Sequence, residues 1–208
     1  MKLFELHEQF DAQKFLEDCK PWLDAIRGTE KVALRGDNRI VDDVQLLTQR
    51  GFRRPKDLPI FVHDAINDEM EKKFNGWRAR EHGLFVVGQE NKARLFGETG
   101  AFFPVGEFKS VWSPDVMDLM EEWESFIFNL DSYDARDAKD GDERFTKQFA
   151  KEMLTSKTWH LNSEIKECLN NSISEMIISA KTFYAFKFDS NLWKNTVSPL
   201  LKSEGIIK

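Results

Sequence analysis

Three short stretches of this 208-residue chain place residues capable of chemistry where a cleft could use them. Arg35 ends the apolar run Lys31-Val32-Ala33-Leu34-Arg35, and Gly36 follows it. A charge at a strand terminus can point into a cleft, and the glycine lets a ligand approach the backbone. The stretch 84–97 reads as a strand, a break at Gly88, then a short helix ending Ala93-Arg94-Leu95-Phe96-Gly97. Such a join can present backbone amides and an aromatic face to a planar ligand. Glu175 stands at the head of Met176-Ile177-Ile178. A carboxylate beside a buried strand can hold a sugar hydroxyl or stabilise developing positive charge. Each stretch also suits a structural role: a strand-end salt bridge for Arg35, ordinary strand-to-helix packing for 84–97, a solvated sheet edge for Glu175.

Other chemistries find little footing. The chain has no Walker A sequence, no G-x-G-x-x-G, no H-E-x-x-H and no G-x-S-x-G. His7, His63, His82 and His160 lack ligand spacing and read as surface or hydrogen-bonded side chains. Glu121 and Glu122 read as a solvated helix face. Cys19 and Cys168 are too few and too far apart for a disulfide scaffold or a cysteine zinc site, which points to a reducing cytoplasm and to no metal.

Composition narrows the partners. A net charge of -6 argues against non-specific nucleic-acid binding as the main task, since phosphates call for a basic surface. A local exception is the basic segment Arg50, Arg53, Arg54 and Lys56, either a solvated loop or a cleft edge that meets phosphates. The 18 Phe and 6 Trp, against 2 Tyr, are read mainly as core. No window approaches 18 continuous apolar residues, so no transmembrane helix and no membrane partner is expected. The start MKLFELHEQFDAQKF carries acids inside its apolar stretch and lacks a small-residue cleavage site, unlike a signal peptide.

The elements that must position these residues follow from spacing. Asp11 is a plausible N-cap for a helix over 12–27, with Phe15, Cys19, Trp22 and Ile26 on one face. Strands are expected at 31–35, 84–87, 101–105, 108–112 and 175–179, and over the alternating Tyr184, Phe186 and Phe188. The stretch 40–47 is ambiguous between strand and loop. Pro59 opens a helix in which Val62, Ile66, Met70 and Phe74 recur every four residues, and Asn75-Gly76 ends it. A helix opened by Ser113-Pro114-Asp115 is expected to reach Leu130, and another surrounds Phe145, Phe149 and Met153. Between them Asp131–Glu143, nearly devoid of large apolar residues, reads as a mobile acidic loop. The order lacks regular βαβ alternation, so the fold class is α+β. The divisions expected are an N-terminal helical segment over 1–29, a domain over 30–190 and a C-terminal tail over 191–208.

Taken in order, Leu34-Arg35-Gly36, Phe85-Val86-Val87-Gly88, Ala93-Arg94-Leu95-Phe96-Gly97 and Glu175-Met176-Ile177-Ile178 resemble a known pattern. It is that of bacteriophage-encoded ADP-ribosyltransferase-like proteins, in the branch that uses an Arg, a Ser/Thr strand and a Glu. The likeness spans 30–190 and extends to Arg53-Arg54-Pro55-Lys56-Asp57, Arg78-Ala79-Arg80, Phe103-Pro104-Val105-Gly106 and Trp112-Ser113-Pro114. The resemblance implies a split β-sandwich with flanking helices that binds NAD between two small sheets and breaks the bond from nicotinamide to ribose. Glu175 would stabilise the oxocarbenium-like transition state, and Arg35 would grip the phosphates. The Gly36 and Gly88 backbones and Val87 would approach NAD, with Phe85 or Phe96 stacked on nicotinamide.

Two positions depart from that pattern. Val87-Gly88 stands where a serine or threonine would orient the glutamate, and Ile173 stands where many transferases carry Glu or Gln toward an acceptor. The function implied is NAD-dependent ADP-ribosylation of a host protein or nucleic acid during phage infection, in the host cytoplasm or in association with the virion. The competing readings are a non-catalytic phage protein that binds and inhibits a host defence or transcription factor on the same scaffold, and a virion or accessory protein with no enzymatic role.

Overall fold

The computed structural model describes residues 10–49, 51–52, 54–55, 58–170 and 173–208, with the backbone of Asn171. The chain begins with α1 (Ala12–Asp18), capped by the Asp11 carboxylate on Lys14 N–H, and α2 (Lys20–Ile26). The sequence predicts one continuous helix here. Pro21 in the first turn of α2 has no N–H to continue α1, so the helix breaks at Cys19. The expected apolar face survives the break: Phe15, Cys19, Trp22 and Ile26 are all buried.

Next come β1 (Leu34–Gly36), β2 (Val44–Thr48), α3 (Ile60–Lys73), α4 (Ala79–His82), β3 (Leu84–Val86), α5 (Glu90–Arg94), β4 (Thr99–Pro104) and β5 (Lys109–Trp112). Asn75 and Gly76, at φ 53° and 81°, turn the chain out of α3 as expected. The second half holds α6 (Leu119–Phe128), α7 (Ser132–Lys139), α8 (Glu143–Ser156), β6 (His160–Leu161), α9 (Ile165–Asn171), β7 (Met176–Ser179) and β8 (Thr182–Lys187). A π-helical turn over Trp193–Val197 and α10 (Ser198–Ser203) complete the described chain.

Two local expectations are corrected. The helix expected from Ser113 starts later, at Leu119, because the Asp118 carboxylate caps Met120 N–H. The Ser113 hydroxyl instead accepts Asp115 N–H in a turn, and Asp115 accepts Thr158 N–H at 2.7 Å. The acidic stretch 131–143 is ordered into α7 rather than forming a loop. Asp131 accepts both Tyr133 and Asp134 N–H, Ala138 is fully buried, and Gly141 at φ 90° turns the chain into α8, which Asp142 caps.

The fold is mixed α+β. Among the described residues the strands form two four-stranded sheets, ordered β1-β4-β8-β2 and β3-β7-β5-β6, with every pair antiparallel. Strand alternation divides the apolar side chains between two cores. Val86, Trp112, Met176 and Ile178 face the first core, shared with β4, β8, α1 and α2. Phe85, Val111 and Ile177 face the second, closed by α3, α6, α7 and α8. Within the first core Phe15 meets Phe103 and Phe186 edge-on at 5.2 Å.

Both ends of the described chain belong to that first core. Trp193, Val197, Leu201, Ile206 and Ile207 are buried, and Gly28 N–H donates to Ile206 O at 2.8 Å. The stretch 191–208, expected as a tail, therefore packs as part of the body. Gly88 makes the tightest approach: a Cβ there would lie 1.8 Å from the Leu169 carbonyl oxygen of α9. Gly88→Ala is expected to cost roughly 1–3 kcal/mol or more through overpacking, read as a lower urea midpoint with an unchanged slope.

Candidate functional site

β1 and β3 are edge strands of their respective sheets, and they meet through one bridge. Leu34 N–H donates to Val87 O and Val87 N–H to Leu34 O, both at 2.8 Å. Past this bridge β1 turns away with β4 while β3 continues against β7, so the two sheets part. The gap is a cleft of about 890 Å³, within the ~300–1,000 Å³ typical of ligand sites. Arg35, Gly36, Phe85, Val87, Phe96 and Glu175 all line it. Topology has thus gathered residues that lie far apart along the chain.

Arg35 leaves the cleft floor at the bridge. Its Nη1 donates to Phe85 O at 3.0 Å and its Nε lies 3.4 Å from Asp37 Oδ2. Burial lowers the Arg35 pKa, while the charges of Asp37 and Glu175 act to raise it. Glu175 therefore lies close enough for its charge to reach Arg35. It precedes β7 by one residue, just beyond the Val86–Met176 pair. Lys92 Nζ from α5 donates to Ile173 O at 2.6 Å and ties down the lead-in to that strand.

The other expected residues divide. Phe96 is 50% exposed at the cleft wall and can stack on a planar group, whereas Phe85 is 5% exposed with the Arg80 guanidinium 4.8 Å above its ring. Gly36 lines the cleft but answers to packing, since a Cβ there would lie 2.2 Å from Ala93 O. Gly88 is not among the described lining residues and packs against α9 instead. Val87 presents an apolar side chain, 8% exposed. The floor carries Phe102 and Phe183.

Asp37 is the electrostatic hinge of the cleft; it follows β1 and opens the turn that Ile40 N–H closes on its carbonyl at 3.2 Å, a place that carries no sequence signal of that role. It accepts from Arg39 through the backbone N–H and Nε at 3.0 Å and Nη2 at 2.6 Å. Burial would raise its pKa, but the hydrogen bonds and charge of Arg39, with Arg35 behind them, win and hold it at about 2. A carboxylate depressed in this way stabilises the fold above its ordinary value near 3.8, and that contribution disappears as pH falls through about 2. Wild type should lose about 2 kcal/mol over this window that Asp37→Asn does not lose, read from urea unfolding at stepped pH.

Three further side chains line the cleft: Arg80, which the sequence offers only within the likeness of Arg78-Ala79-Arg80, His63, read from sequence as a surface or hydrogen-bonded histidine, and Lys92, to which the sequence assigns no role. The signal for Arg80 was its position just ahead of a buried strand, and for His63 its place on the apolar side of α3. Of the basic segment, Arg54 is exposed at the cleft edge, while Arg50, Arg53 and Lys56 lie outside the described residues. His7 also lies outside them; His82 Nδ1 is 2.8 Å from Gly51 O, and His160 stacks on Trp112 at 5.0 Å. Glu121 is exposed and lines the cleft, and Glu122 pairs with Lys157 at 3.3 Å. Burial raises both cysteine pKa values, that of Cys168 to about 12, so neither thiol is primed as a nucleophile. Among the described residues no group of three or more His, Cys, Asp or Glu side chains is placed to hold a metal ion, and no helix is long and apolar enough to cross a membrane. No family model, curated protein or solved structure matches the chain.

Proposed function

We propose that the chain is an NAD-dependent ADP-ribosyltransferase with the split β-sandwich of that fold, acting on a host protein or nucleic acid during phage infection in the host cytoplasm. The observation that carries this reading is the meeting of Arg35 and Glu175 in one cleft at the β1–β3 parting. The order of motifs along the sequence supports it independently.

The cleft suits a dinucleotide in size and lining. Arg35, Arg39, Arg54 and Lys92 bring cations to a chain whose total charge is -6, and Phe96 offers a ring face. NAD supplies a ribose whose bond to nicotinamide breaks with the electron pair leaving on the nicotinamide nitrogen; the acceptor's lone pair closes on the same carbon and its proton is lost. Glu175 stabilises the positive charge that builds on the ribose. Arg35, held by Asp37 and Phe85 O, presents a fixed guanidinium to the phosphates. The apolar floor excludes water from the reacting carbon.

The test is incubation of the protein with labelled NAD and host lysate, following both nicotinamide release and transfer of label. Two residues favour the second reading, a non-catalytic binder of a host factor: apolar Val87 at the strand end, and Ile173, 42% exposed at the cleft mouth. That reading expects a stable host partner in pull-down, with no NAD turnover and no effect of Glu175→Gln.

A further inference from the structure

Beside the main cleft a second, much smaller void of about 30 Å³ opens between Arg80, Phe85, Ser113, Trp159, Ile177 and Glu175. A space of that size holds little more than a water, so the side chains around it stand close together. Arg80 and Glu175 line both spaces. Strand alternation explains why they meet. Ile177 faces the helix-side core while Met176 and Ile178 face the other, so Glu175, two residues before Ile177, lies on the Ile177 face. Phe85 is the cross-strand partner of Ile177, and the Arg80 guanidinium sits 4.8 Å over the Phe85 ring. The ring is a platform that fixes the guanidinium on the face from which the carboxylate projects. Val87, one residue past that ladder and packed into the first core, carries no polar side-chain group for Glu175.

We propose that Arg80 is the positioning residue for Glu175, its guanidinium holding the carboxylate at the cleft from the Phe85 side. This role presupposes the transferase reading of Glu175. Arg80 touches neither reacting bond; it acts through the carboxylate it orients and keeps ionised. The other titratable groups that line the same cleft as Glu175 are Arg35 of β1, Asp37 and Arg39 just after it, His63 of α3 and Lys92 of α5. Asp118 at the cap of α6, Glu121 within α6 and Arg54 at the cleft edge line it as well. All of these are unchanged by substitution at Arg80, so a difference between variants isolates it.

The experiment is a ¹³C titration of the side-chain carboxyls in glutamate-labelled full-length protein, with Glu175 assigned through Glu175→Gln. Arg80→Met removes the charge but keeps an apolar stem on Phe85, and Arg80→Lys keeps the charge. The Glu175 midpoint is expected to move to higher pH in Arg80→Met and to return toward wild type in Arg80→Lys. In parallel, kcat for nicotinamide release should fall about 100-fold in Arg80→Met, with KM for NAD little changed and partial recovery in Arg80→Lys. A purely structural Arg80 would lower the melting temperature and leave the Glu175 midpoint unmoved, and that result overturns the proposal. A midpoint that moves as expected in a protein with no NAD turnover upholds the hold of Arg80 on Glu175 and refutes the transferase reading.

Discussion

Glu175→Gln is expected to reduce nicotinamide release from NAD by about 10²–10³-fold without a comparable loss of stability. The substitution keeps the shape and hydrogen-bonding reach of the side chain and removes its charge. Glu175 sits one residue ahead of β7, whose Met176, Ile177 and Ile178 are fully packed, so the strand holds its register whichever group precedes it. The lost term is the attraction between a carboxylate and the positive charge that develops on the ribose, strengthened by a cleft with an apolar floor. Affinity for NAD should change little, because the ground-state ribose carries no such charge. Single-turnover assays on folded protein, with circular dichroism as the control, make the measurement; wild-type turnover in Glu175→Gln contradicts the assigned role.

Arg35→Ala is expected to weaken NAD binding about 10–100-fold, the size of a lost charge-assisted hydrogen bond to phosphate. It should also cost about 1–3 kcal/mol of stability, since it takes a donor from the buried Phe85 carbonyl. Asp37 would keep Arg39 as its partner, so the turn should hold. Arg35→Lys separates the two effects: it restores a charge but not the planar fork, and should regain stability more fully than affinity. Calorimetric titration of NAD and thermal melting report on them independently. Equal loss of affinity and stability in both variants would make Arg35 a structural residue with no hold on the ligand.

The parts of this fold legible in the sequence are those decided by near neighbours. The four-residue recurrence of Val62, Ile66, Met70 and Phe74 marks α3, and Asn75-Gly76 marks its end. The apolar run after Glu175 marks β7. Where helix formation depended on capping and a single buried alanine, as in α7, the polar composition concealed it. β2 was ambiguous because it is an edge strand with no fully buried residue, set in place by pairing with β8 rather than by its own pattern. The residues 193–207 carry widely spaced apolar side chains that find the core shared with α1 and α2, which no local period reveals.

The same division runs through the site. Arg35 and Glu175 were singled out as a charge ending a strand and a charge beginning one, which is a local signal. Their meeting is a consequence of strand order, with β1 and β3 on facing edges and β7 beside β3. Neither Asp37 nor Arg80 has a site role legible in the sequence, although Arg80 falls in the Arg78-Ala79-Arg80 segment of the likeness, because each resembles an ordinary polar neighbour until the cleft and the Phe85 ring give it a position. Gly88, expected to bring its backbone up to NAD, faces the Leu169 carbonyl of α9 instead, a long-range packing contact that no local pattern reveals.

Titration of NAD into the wild-type protein and into Arg35→Ala, by calorimetry without any acceptor, tests the central claim most directly, because it needs no knowledge of the target. The cleft at the β1–β3 parting predicts one saturable site per chain that is weakened in Arg35→Ala and retained in Glu175→Gln. No heat of binding at millimolar NAD, or binding indifferent to Arg35, would contradict it.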